Sequence, residues 1–138
     1  MTKLYMLDTN MVRQAVSGRS PATVARIARV PAGTLCVSVI TYGESMFGER
    51  RRPDAVAISR ANARFYAEAD ELPFTQKIAD TYGALRADME RVGLPLGPLD
   101  MLIAAHAVSV GAILVTADKA FRHVPGLETE DWTVPRSV

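Results

Sequence analysis

The stretch Tyr5-Met6-Leu7-Asp8-Thr9-Asn10 (YMLDTN) passes from three apolar or aromatic residues directly into an acid, a hydroxyl and an amide. Extended back to Lys3, the run 3–7 reads as a strand without polar alternation, the pattern of a parallel strand covered on both faces. The runs 35–40 (LCVSVI) and 112–116 (AILVT) have the same character, and a weaker one lies at 71–74 (ELPF). A last edge strand is expected near Glu128 to Trp132.

Helical segments fall between these runs. Ser20 followed by Pro21 is an N-cap and first-turn signal, opening a helix whose Val24, Ile27 and Ala28 share one face and which Pro31 and Gly33 end. Further helices are expected from Thr41 to about Arg50 and from about Asp54 to Ala69. Thr75 caps a long amphipathic stretch through Arg91, with Ile78, Tyr82, Leu85 and Met89 at three- and four-residue spacing. After the loop GLPLGP, the segment from Leu99 is apolar nearly all round, hence central, and Gly111 closes it. Strands joined by helical crossovers imply an α/β fold. With 138 residues there is room for one core, so 1–138 is read as a single three-layer domain. It would hold a mostly parallel central sheet of four to five strands, with helices on both faces.

In such sheets ligands bind beyond the carboxyl ends of the strands. Asp8 directly follows the first strand, Glu44 is placed within the first turn after the second, and Asp118 lies just past the fourth. With Gly97 as cap and Pro98 in the first helical position, Asp100 falls in the opening turn of the central helix and can join the same rim. Four carboxylates gathered without compensation repel one another, and a divalent cation resolves this. An all-oxygen donor set suits Mg²⁺, with Mn²⁺ as a substitute, better than Zn²⁺. Asp8, Asp100 and Asp118 are the expected ligands, and Glu44 either helps to hold the ion or orients an attacking water. Thr9, Asn10 and Thr116 are expected either to steady the carboxylates or hold a water, with plain helix capping the alternative for Thr9 and Asn10. One ion or two is left open.

Composition bounds the function class. Apolar residues make up 49% and charged residues 22%, as in ordinary globular proteins, and the formal charge of +1 gives no global field for a polyanion. Any nucleic-acid contact must be local. The run ERRRP at 49–53, with Arg50, Arg51 and Arg52, is such a patch, suited to phosphate contact, to docking of a protein partner, or to solvent at a helix end. Tyr42, Met46 and Phe47 are either core or a surplus apolar face for a partner helix. Cys36 is alone, in an apolar run, and is expected to pack as an inert thiol. Too few apolar residues precede Asp8 for a secretory signal and no run is long enough to span a membrane, so the cytoplasm is the expected location. His106, His123 and Trp132 are expected to be structural.

The blocks MLDTN, VSVITYGE, PLGPLDMLIAAHAVSVGAILVTAD and FRHVPGLETEDW resemble those of PIN-domain ribonucleases, specifically VapC toxins, in order and over essentially the whole chain. The family's acids map onto Asp8, Glu44, Asp100 and Asp118, with Thr116 as the accompanying hydroxyl. The resemblance implies a PIN-like fold and a Mg²⁺-dependent endoribonuclease that cuts structured RNA such as tRNA or rRNA. It also implies a homodimer and a small cognate antitoxin that covers the site. A receiver-like signalling module is disfavoured, because Asp8 has no acidic neighbour and Thr75 stands where a phosphoacceptor is needed. A haloacid-dehalogenase-type phosphatase would need an acid at Asn10, and a non-catalytic PIN scaffold has no missing acid to recommend it.

Overall fold

Three short apolar strands form the middle of a five-stranded, wholly parallel sheet ordered β3-β2-β1-β4-β5. The computed structural model describes residues 3–52 and 54–135. β1 (Tyr5–Leu7) pairs with β2 (Leu35–Ser38) on one side and β4 (Ile113–Val115) on the other. β3 (Asp70–Leu72) and β5 (Glu128–Glu130) are the edges, and both carry acids that a central strand would not tolerate.

Side chains alternate across the sheet with a period of two, which sorts the core into two layers. Met6, Cys36 and Leu114 face α5 (Gln76–Arg91) and α6 (Pro98–Val110), packing with Leu85, Met89, Met101 and Ile103. Leu7, Leu35, Val37 and Val115 face the other way, with Met11, Val12 and Trp132, towards α1 (Thr9–Ser17), α2 (Pro21–Arg29) and α4 (Val56–Glu68). α3 (Val39–Arg50) touches α1, α4 and α6 and so bridges the two layers. The expected three-layer α/β architecture is therefore present, and the sheet is entirely rather than mostly parallel.

Several elements differ from expectation, each for a local reason. α1 has no counterpart among the expected helices. Asp8 is its N-cap, accepting from the Met11 backbone N–H, and Gly18 at φ 70° ends it in the left-handed conformation that glycine adopts without penalty. Thr9 and Asn10 therefore lie inside the helix, and the capping alternative does not hold for them. β2 stops at Ser38 because the serine hydroxyl accepts from the Ile40 N–H and starts α3 two residues before Thr41.

In α2 the buried residue is Thr23, which donates to the Trp132 carbonyl at 3.2 Å and bonds Ser20 at 2.8 Å. That rotation leaves Val24 44% exposed, on an open apolar groove with Val16, Ile27 and Phe65, instead of in the core. β3 begins one residue earlier than the run 71–74 and excludes Phe74, whose ring meets His106 edge-on. α4 starts at Val56, two residues after Asp54. β5 ends at Glu130, with Trp132 fully buried beyond it.

Candidate active site

Strand order runs from β1 outward to β2 and β3 on one side and to β4 and β5 on the other, so the reversal lies between β1 and β4. A crevice at the carboxyl end of the strands is forced there, because the crossovers leave in opposite directions. Asp8 stands at its mouth. The Asp8 N–H donates to the Val115 carbonyl at 3.1 Å, so the ladder with β4 fixes this backbone, and its Oδ1 accepts from Met11 N–H at 2.8 Å.

Asp8 is only 4% exposed. Burial pushes its carboxyl up to about 6; hydrogen bonds from the Thr116 side chain and the Met11 backbone oppose the rise, and the charges of Asp100 and Asp118 add to it. Thr116 Oγ1 also accepts from the Asp118 N–H at 3.0 Å, so one hydroxyl links the two acids. Asp118 in turn uses Oδ1 to accept from Ala120 N–H at 2.9 Å, capping a short 3₁₀ turn at Lys119–His123.

Asp100 lies in the first turn of α6, whose cap, Gly97, offers no side-chain acceptor. That end of the helix, with its free N–H groups, favours a negative charge nearby. Burial raises the Asp100 carboxyl first, followed by the charges of Asp118 and Glu44. Glu44 falls in the second turn of α3, one turn later than expected, because α3 begins at Val39. Its Oε1 accepts from Thr9 Oγ1 at 2.6 Å. The four acids thus act on one another across the β1/β4 crevice, by charge and not by contact.

They do not form a finished ligand cage. Among the described residues no three His, Cys, Asp or Glu side chains stand together as a group able to hold a metal ion. Three of the acids have one oxygen engaged: Asp8 caps α1, Asp118 caps the 3₁₀ turn and Glu44 accepts from Thr9. The chemistry nevertheless fits a hard divalent cation, since the groups are carboxylates, and Asp8 and Asp100 are raised first by burial and then by neighbouring acidic charge.

The remaining residues divide clearly. Asn10 turns outward, accepting from Arg13 at 3.0 Å. Arg50 and Arg52 are exposed at the end of α3, and the Arg51 guanidinium lies 5.1 Å from the centre of the Phe47 ring. Pro53 of that run lies outside the described residues. Of the apolar face expected on this helix, Phe47 is 64% exposed, while Tyr42 packs edge-on against Tyr66 at 5.0 Å. Nothing in the sequence marks Tyr66 out. Its hydroxyl pairs with Ser45 at 2.7 Å, and the charges of Glu71 and Glu44 both act on it. Its position follows only from the phase of α4, which no local pattern discloses.

The Cys36 thiol is buried and pushed up to about 12, by burial and then by the Asp70 charge, so it packs and does not react. Arg86 is held on the helix surface by Glu90 and Tyr82. Among the described residues no helix is long and apolar enough to cross a membrane.

Comparison with known proteins agrees with this fold. The PIN domain family model matches residues 5–127. The chain is 34% identical to the tRNA(fMet)-specific endonuclease VapC of Shigella flexneri, covering 94% of this chain and 98% of the relative. The structure of VapBC2 from Rickettsia felis bound to a DNA fragment from their promoter superposes with a TM-score of 0.87 at 28% identity, covering 94% and 98% of the two chains. That of VapBC-1 from nontypeable Haemophilus influenzae gives 0.84 at 29% identity, covering 95% and 99%. On sequence and fold together, the chain belongs to the PIN-domain family, among the VapC ribonucleases.

Proposed function

We propose that this protein is a Mg²⁺-dependent endoribonuclease, the toxin of a toxin–antitoxin pair, with Asp8, Asp100 and Asp118 as metal ligands and Glu44 as the residue that orients the attacking water. The observation that carries the reading is the approach of these acids to one another near the strand-order reversal, where Asp8 and Asp100 are raised first by burial and then by the charges of their acidic neighbours. Four unrelated surface acids would not arrive at one crevice from β1, α3, α6 and the loop after β4.

Each residue has a distinct task. Asp8, rigid between β4 and α1, supplies the fixed carboxylate. Thr116 keeps it aligned and ties Asp118 to the same point. Asp100 approaches from the start of α6, and Thr9 holds Glu44 so that its second oxygen is free to accept a proton from water. A bound Mg²⁺ or Mn²⁺ ion supplies positive charge for the scissile phosphate and lowers the pKa of water in the crevice.

The substrate is structured RNA, with tRNA the first candidate because the similar Shigella flexneri protein is named for tRNA(fMet). Arg50, Arg51 and Arg52 supply phosphate contacts at the far end of the Glu44 helix. A small cognate antitoxin is the protein partner, in keeping with the toxin–antitoxin complexes that this chain superposes on. The active unit is a homodimer working in the cytoplasm, each chain one PIN-like domain over 1–138.

The test is cleavage of a tRNA pool by purified protein, with the cut ends sequenced. Cleavage should require Mg²⁺ or Mn²⁺, stop with chelator, and vanish in Asp8→Asn and Asp100→Asn variants that remain folded. Undiminished cutting by both variants would end the assignment.

A further inference from the structure

α6 is apolar along its buried side, where Met101, Ile103, Ala104, Ala105 and Ala107 are all within 2% of full burial, and His106 stands among them with no exposure at all. An imidazole there is costly. Burial alone pulls its pKa below the ordinary histidine value, and its Nε2 has no hydrogen-bond partner. A leucine would fill such a position without either penalty.

Besides the edge-on Phe74 ring, what the imidazole has in return is a hydrogen bond, His106 Nδ1 to Ser38 Oγ at 2.7 Å, across 68 residues of sequence. Ser38 Oγ also accepts from the Ile40 N–H at 3.1 Å, so one hydroxyl serves both the start of α3 and the buried ring. Ser38 is the last residue of β2 and the cap of α3. The bond therefore pins the middle of α6 to the start of α3. Glu44 lies six residues after Ser38 and Asp100 six residues before His106, so each acid-bearing arm is measured from the same pinned point. The charge of Glu44 is felt at Asp100, which places the two acids near each other although they share no direct bond.

We propose that His106 is a positioning residue for RNA cleavage: its hydrogen bond to Ser38 sets the placement of Asp100 on α6 relative to Glu44 on α3. The inference rests on the nuclease reading above. A buried polar pair of this kind rigidifies and specifies an arrangement that apolar packing alone leaves free to slide.

The experiment compares His106→Phe, which keeps an aromatic ring, with His106→Asn, which returns a hydrogen-bonding group near the Nδ1 position, and with Ser38→Ala. At saturating Mg²⁺, His106→Phe should lose about tenfold or more in kcat with KM little changed, the mark of a misplaced reacting group. Mn²⁺ affinity, measured calorimetrically without RNA, should weaken by about threefold or more, as when a supporting partner of a ligand is removed. His106→Asn should recover most of both. Ser38→Ala, which also removes the side-chain cap of α3, should be at least as impaired as His106→Phe, and the double variant should be no worse than Ser38→Ala, since both remove the His106–Ser38 bond.

Thr41→Val, which removes the unpaired buried hydroxyl on α3, is the control and should cut at the native rate. Native kcat and native Mn²⁺ affinity in a folded Ser38→Ala variant would overturn the proposal, even if His106→Phe failed to fold. So would a defect in His106→Phe that Asn does not relieve and that adds to the Ser38→Ala defect. Native protein that neither binds Mn²⁺ nor cuts RNA would instead defeat the nuclease reading, a result distinct from an active enzyme indifferent to Ser38 and His106.

Discussion

Thr9 Oγ1 donates to Glu44 Oε1 at 2.6 Å, joining the first turn of α1 to the second turn of α3 over 35 residues of sequence. Thr9 is mostly buried, so the bond is shielded from water and constrains Glu44 more than a surface contact would. Thr9→Val keeps the shape and deletes the donor. It should cost about 1 kcal/mol of stability, the ordinary net worth of one hydrogen bond. RNA cleavage should fall by about tenfold, a fraction of the roughly 10²–10⁴-fold that general acid–base assistance supplies, because Glu44 is misaligned and not removed. Thr9→Ser should restore it. Steady-state kinetics beside urea denaturation separate the two effects, and equal activity in all three proteins would remove Thr9 from the site.

Asp8 makes stability depend on pH in the direction opposite to a salt-bridged acid. Its ordinary value is 3.8 and burial, the largest cause, moves it to about 6 in the folded chain. Below pH 3.8 it is protonated whether folded or unfolded, and the fold carries no penalty. As pH rises through about 6, the folded chain must ionise a carboxyl that the unfolded chain ionised earlier, so this contribution to stability is progressively lost. The gap between the two values corresponds to about 3 kcal/mol. Asp8→Asn, whose side-chain oxygen can still cap α1, should therefore stabilise metal-free protein by about 1–3 kcal/mol at pH 7.5 and change little near pH 4. Urea titrations with chelator at the two pH values check this, and a destabilised variant at pH 7.5 would mean that the charge is already compensated.

The features legible in the sequence are those written in short-range pattern. β1, β2 and β4 are visible because a short apolar run without alternation, bounded by polar residues, fits little besides the interior of a parallel sheet. Asp8 and Asp100 are visible because a strand end and a Gly-Pro helix start announce them. α1 is hidden by its own cap: Asp8, the residue that follows a strand, is equally the residue that begins a helix. Val24 departs from its expected place because a buried Thr23 hydroxyl, serving the carbonyl of Trp132 over a hundred residues away, decides the rotation of α2. Glu44 sits a turn later than its pattern indicates for a similar reason, since a serine inside an apolar run reads as strand until its side chain is seen to cap. The bonds made by the acids are hidden likewise, since no pattern shows that Asp8 and Asp118 each give an oxygen to a local cap or that Glu44 accepts from Thr9 across 35 residues.

Trp132 closes the sheet and should be among the costliest side chains to remove. It has no exposed surface, its ring lies 5.4 Å from that of Tyr5, the Arg26 guanidinium sits 5.1 Å from its centre, and its Nε1–H donates to Glu130 at 2.9 Å. Arg26 also pairs with Glu130 at 3.1 Å, so α2 and β5 are held through this one residue. Trp132→Ala should destabilise by about 3–5 kcal/mol, as for other fully buried aromatics. Trp132→Phe should recover part of this. Chemical denaturation followed by circular dichroism measures both, and a loss below about 1 kcal/mol for the alanine variant would show that the end of the sheet repacks without it.

The arginines at the end of α3 offer a test that needs no knowledge of the cleavage site. With a formal charge of only +1, the chain attracts RNA through local cations and not through its overall field. Arg50 and Arg52 are exposed, and Arg51 rests over Phe47 with its charge still available. If each meets one phosphate, replacing all three by Ala should make binding less salt-dependent, because fewer counterions are released. The slope of log affinity against log salt should fall by about 2–3, at about 0.7 per contact on single-stranded and about 0.9 on duplex segments. Anisotropy titrations in an Asp100→Asn background, which prevents cutting, give that slope directly. Stability should change by less than about 0.5 kcal/mol, since these are surface positions. A slope unaltered by the triple change would take the patch out of RNA binding altogether, leaving it to solvent or to a protein partner.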